Sequence, residues 1–203
     1  MNAFAPRASL VVTAFALALA SGCGNPVQDA QIAALGPEAP GVEESDIHRP
    51  GQPCLLCHGP YLGAEPEMTV AGTIYGYAWD GAHAKDAPIP VKDVTIEISD
   101  AFGTSPPVAP KTNCAGNFYL TKEDWNPSFP LRVAIRYPVT GEPDGERVSM
   151  GTRISRDGSC NGCHEGPPNQ GSPGWVSCTQ RGPSAPLFEP PKTCASSEEE
   201  RED

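Results

Sequence analysis

Residues 93–100, DVTIEISD, alternate strictly, with Val94, Ile96 and Ile98 set against Thr95, Glu97 and Ser99. A period of two puts the apolar set on one face of an extended strand. LRVAIRY at 131–137 repeats the pattern, with Leu131, Val133, Ile135 and Tyr137 against Arg132, Ala134 and Arg136. MTVAGTIYGYAW at 68–79 is rich in β-branched and aromatic residues, and GNFYL at 116–120 is a further short strand. DAFG at 100–103 and NCAG at 113–116 supply turn residues beside these runs. The spacing predicts a mainly β protein: a small antiparallel β-sandwich over 68–140, flanked by irregular segments, with little helix. With 24 prolines and 21 glycines in 203 residues, many turns and few long elements are expected elsewhere.

The flanks divide by composition. Residues 1–22 carry Arg7, then an apolar run from Leu10 to Ala20, then small residues. That run is too short to span a bilayer and reads as a secretory signal. It ends in LASGC at 19–23, which resembles the lipobox of bacterial lipoproteins. The resemblance implies that Cys23 is lipidated and becomes the mature N-terminus, and Gly24 rather than Asp behind it implies the outer membrane. Residues 23–46 lack sustained periodicity and read as a flexible tether. Residues 141–192 read as a chemistry-bearing segment followed by an irregular Pro/Gly-rich wrap, and 193–203 as an acidic tail. The formal net charge is −11, and losing Arg7 with the signal makes it −11 − 1 = −12. Such a balance argues against nucleic acid and against electrostatic docking on anionic lipid. The membrane is therefore expected to be met through the lipid alone.

Export makes the cysteines informative, because the periplasm is oxidising. Eight are present, at 23, 54, 57, 114, 160, 163, 178 and 194, beside only four histidines, at 48, 58, 83 and 164. Two of the four histidines directly follow a Cys-x-x-Cys, in GQPCLLCHG at 51–59 and RDGSCNGCHEG at 156–166. Cys-x-x-Cys-His is the attachment signature of c-type haem. Two thiols bond two vinyl-derived carbons on one edge of the porphyrin, and the adjacent His turns back to the iron. Cys54, Cys57, Cys160 and Cys163 are the expected attachment residues for two covalently attached haem c groups, and His58 and His164 the proximal ligands. The competing readings are a four-thiolate zinc site and a disulfide at each pair.

An electron-transferring haem iron is six-coordinate. His48, ten residues before His58, is the first candidate for a distal position; Met150 and His83 are weaker ones. Lipidation of Cys23 leaves Cys114, Cys178 and Cys194, an odd number, with the bridges 178–194, 114–178 and 114–194 all open. Within 68–140 the pattern AGTIY, PVKDVTIEISDAFG, TNCAGNFYL and FPLRVAI resembles the carboxypeptidase-regulatory-like, transthyretin-like sandwich. That resemblance implies a non-catalytic scaffold. Together with the two motifs, at 47–67 and in 141–192, the chain looks like exported small dihaem cytochromes. The expectation is a lipid-anchored extracytoplasmic carrier of single electrons to a redox protein, and not an enzyme. The alternatives are a haem-free, disulfide-linked surface or binding module and a haem enzyme such as a peroxidase.

Overall fold

A computed structural model describes residues 25–38, 40, 42, 45–61, 63–77, 88–139, 142–179 and 194. The signal, Cys23, His83 and all of the acidic tail except Cys194 lie outside these residues. The chain divides into two units at Gly36. In the first, Pro26–Ala34 form helix α1, although this stretch reads as coil from its pattern. The helix is set by its start: the Asn25 side chain accepts from the Gln28 backbone N–H at 3.3 Å, and Pro26 opens the first turn. A helix fixed by its cap does not need an apolar stripe, and no residue of α1 is buried.

The second unit is mainly β. Its strands are β1 (Met68–Thr73), β2 (Tyr75–Tyr77), β3 (Ile89–Pro90), β4 (Thr95–Asp100), β5 (Asn117–Thr121), β6 (Leu131–Val139), β7 (Glu142–Ser149), β8 (Gly158–Ser159) and β9 (Ser177–Thr179). They form three small sheets, ordered β5-β1-β8, β3-β2-β9 and β4-β6-β7. The long pairings are antiparallel, as the hairpin spacing predicts, but β8 joins β1 and β9 joins β2 in parallel. Strand structure also runs past residue 140 into β7 and into the wrap, at β9.

The alternation of β4 falls as expected, with Val94 and Ile96 fully buried and Ile98 nearly so. These side chains meet Leu131, Ile135 and Tyr137 of β6, Val70 of β1 and Phe118 of β5 in one core. Burial of such a set is the main favourable contribution to folding. On the other face, Glu97 accepts from Arg136 at 2.8 Å and from Arg147 at 2.6 Å, tying β4, β6 and β7 together. Both guanidiniums hold the Glu97 carboxyl below its ordinary value.

Of the three open bridges, the structure closes Cys114–Cys194 and leaves Cys178 a buried free thiol in β9. Cys178 is fully enclosed in the core, where it packs as a small apolar side chain. The sequence separation of 80 makes the bridge a long clamp, and the chain-entropy relation gives it about 4.5 kcal/mol. Cys194→Ser is expected to lower the unfolding free energy by about that amount in urea titration, and a loss below about 1 kcal/mol would mean that the bridge does not constrain the chain.

Candidate functional site

The two Cys-x-x-Cys-His segments differ in sequence context but take the same local shape. In the first, Leu55–His58 form the single turn α2, with the His58 N–H donating to the Cys54 carbonyl at 2.9 Å and Cys57 to the same oxygen at 3.1 Å. In the second, Cys160–Gly162 form a 3-10 turn, with the His164 N–H donating to the Cys160 carbonyl at 2.9 Å and Cys163 to it at 3.2 Å. Residues three and four apart on a helical turn share a face. Each segment therefore presents two sulfurs and an imidazole on one side of a turn.

The imidazoles are oriented by backbone. His58 Nδ1 donates to the Pro66 carbonyl at 3.1 Å, and His164 Nδ1 to the Gly174 carbonyl at 2.8 Å. A carbonyl only accepts, so Nδ1 carries a proton, and in the neutral ring Nε2 is the nitrogen with the lone pair. This is the tautomer an iron ligand needs, fixed in the way ligating histidines are usually fixed. His48 shares the arrangement, with Nδ1 on the carbonyl of Ser45. Its ring centroid lies 5.8 Å from that of His58, at an interplanar angle of 40°. Two imidazoles sharing one metal through nitrogens at about 2.0–2.1 Å have centroids at most roughly 6.5 Å apart, so the pair lies within reach of one metal.

The motifs lie side by side. Turn α2 packs against β1 and β8, and the 3-10 turn at Cys160 packs against β1. Gly72 in β1 makes this approach close: a Cβ there would stand 2.7 Å from Cys160 Cβ and 3.1 Å from the Phe118 ring. Gly158 faces the Thr69 carbonyl too closely for any side chain. Burial pushes the Cys54 thiol up to about 11 and the Cys160 thiol up to about 12; for Cys160, the nearby charge of Cys54 adds to the rise. All four motif cysteines are unbridged.

Among the described residues, which include all four motif cysteines, no three His, Cys, Asp or Glu side chains converge as they would on a bare metal ion. A porphyrin iron asks less of the protein, because the macrocycle fills the equatorial positions and only axial ligands are required. The residues present fit that group: two free thiols and an oriented imidazole in each motif, and a second imidazole facing the first.

The remaining candidates fall elsewhere. Met150 lines a cleft of about 590 Å³ with Glu97, Val108, Arg132 and Arg153, and no residue of either motif lines it. His83 lies outside the described residues. Sequence reasoning passed over the side chains that hold the site. Trp175, next to Gly174, packs against Tyr75 and Tyr77 at centroid distances of 5.9 and 6.4 Å and so fixes the carbonyl that orients His164. A tryptophan in an otherwise Pro/Gly-rich stretch was the available signal. Among the described residues no helix is long and apolar enough to cross a membrane. Comparison with protein-family models, with curated proteins and with solved structures found no match.

Proposed function

We propose that this protein is a two-haem electron carrier, exported and anchored by a lipid on Cys23, which passes single electrons to a redox protein. The observation that carries the reading is the His48–His58 pair. Both rings have Nδ1 tied to a backbone carbonyl and lie 5.8 Å apart beside a Cys-x-x-Cys turn. Bound haem supplies a reversible one-electron couple.

The chain supplies the rest. Cys54 with Cys57, and Cys160 with Cys163, hold each macrocycle at two points, which fixes its edge against the turn. His58 and His164 would offer Nε2 to the irons. His48 would be the second protein ligand of the first iron, disfavouring small-ligand binding and favouring electron transfer over bond-making chemistry. Both motif turns pack on β1, which would set the two groups near one another for passage of an electron between them. The Cys114–Cys194 bridge supports an oxidising compartment. The sequence supports the lipid anchor and the outer membrane, on LASGC followed by Gly24.

The test is the mass and colour of the purified full chain. Two covalent haems per chain and a red, haem-staining band after denaturing electrophoresis are expected. A colourless protein of unmodified mass would overturn the reading in favour of a disulfide-linked module, and a stoichiometric zinc ion would overturn it in favour of a metal-thiolate site.

A further inference from the structure

Three buried polar side chains, Asn161, Thr73 and Asn117, connect the second motif to the loop that carries His48. The Asn161 amide oxygen, inside the second Cys-x-x-Cys, accepts from the Thr73 backbone N–H at 2.8 Å. The Thr73 hydroxyl accepts from the Gly51 N–H at 2.8 Å, so its own proton goes to the Asn117 amide oxygen, also at 2.8 Å. The Asn117 amide nitrogen then donates to the carbonyls of Asp46 at 3.2 Å and His48 at 3.0 Å, both pure acceptors. Asn113 adds a donation to the Asp46 carbonyl at 2.8 Å. Thr73 is 1% exposed, Asn161 2% and Asn117 7%, so water cannot readily replace a lost partner.

We infer that Thr73, Asn117 and Asn161 are positioning residues for His48, and that through them the second motif sets how firmly the first iron is closed. The inference rests on the two-haem reading above. His48 sits on a short loop, 45–51, whose backbone is held by Asn117 at Asp46 and His48, by Asn113 at Asp46 and by Thr73 at Gly51, while the Ser45 carbonyl takes the His48 ring. Removing the Thr73 hydroxyl frees the Gly51 N–H and unties the Asn117 amide that it orients, leaving only the Asn113 hold on Asp46 untouched. Releasing Asn161 loosens the Thr73 backbone from the far side. Neither residue is a catalytic residue, since neither touches the iron's ligand atoms.

The experiment measures carbon monoxide binding to the reduced holoprotein together with its spin-state spectrum. Thr73→Val, which keeps shape and removes the hydroxyl, is expected to raise carbon monoxide affinity at one iron by tenfold or more, the usual scale for losing an outer-shell contact to a metal site. Thr73→Ser, which keeps the hydroxyl, should behave as wild type. In a His48→Ala background Thr73→Val should add nothing, because the ligand it positions is gone. Asn161→Ala should raise affinity at the same iron although it lies in the other motif. Ile98→Val, a core change in β4 at a side chain that makes no hydrogen bond in the network, should lower stability without admitting carbon monoxide. If Thr73→Val does not fold, the Asn161→Ala arm decides alone. Wild type with two haems but variants indistinguishable from it would overturn the inference and leave the carrier reading intact. An equal effect of Thr73→Val with and without His48 would also overturn it. Wild type with no covalent haem overturns both.

Discussion

Exchanging His48 for alanine is expected to convert one of the two irons from low-spin to high-spin and to open it to carbon monoxide, while the other iron keeps its spectrum. The ring is the one imidazole among the described residues that faces His58. Its loss leaves a methyl group that cannot reach the metal, and a water or an added ligand then takes the position. Low-temperature magnetic resonance of wild type and variant reads the change. An unaltered spectrum would remove His48 from the first iron. A high-spin signal of full intensity already present in wild type would shift the reading from carrier toward haem enzyme. Met150→Ala is the useful companion: Met150 lines a cleft that shares no residue with either motif, so neither iron should respond.

The second large effect concerns stoichiometry. Cys160→Ala with Cys163→Ala should halve the covalent haem, with the first site retaining its absorbance and its closed iron. Each turn is built by its own backbone bonds to Cys54 or Cys160, and these survive removal of the sulfurs. The variant also keeps Asn161, and with it the bond to Thr73 that connects the sites. Intact-mass measurement decides the matter. Loss of both haems would mean that the motifs load as one cooperative unit, and retention of both would mean that these cysteines are not the points of attachment. Comparing oxidation rates of the two-haem and one-haem proteins with a soluble oxidant then shows whether the second site serves as the exit for electrons.

The strands that alternate in sequence are the strands that form. β4 and β6 carry period-two patterns, and their pairing buries Ile96 against Ile135 and Ile98 beside Leu131 in one core. β5 and β1 were legible from β-branched and aromatic content, and the turn before β5 from NCAG, whose Gly116 takes a φ of 74°. The mainly β class followed from these four segments. So did the candidate chemistry, because Cys-x-x-Cys-His is a local pattern: whatever the fold, three and four residues along one turn bring two sulfurs and an imidazole to one face.

What sequence alone could not supply was everything that depends on distant partners. β7, GluProAspGlyGluArgValSer in order, has too many charges to read as a strand and is held by β6 and by the Glu97 bridge to Arg147. β8 and β9 are two and three residues long, with no period to read, and exist because β1 and β2 offer them an edge. Helix α1 is set by a cap and not by an apolar stripe. The choice of Cys194 over Cys178 for Cys114 turned on Cys178 being swallowed by the core, a fact of packing. The proximity of the two motifs, about a hundred residues apart in the chain, was likewise decided by tertiary structure. Spacing along a chain fixes reach but not direction, and it took β1, with glycine at 72 where Cys160 must pass and Thr73 bonded on both sides, to bring the motifs together.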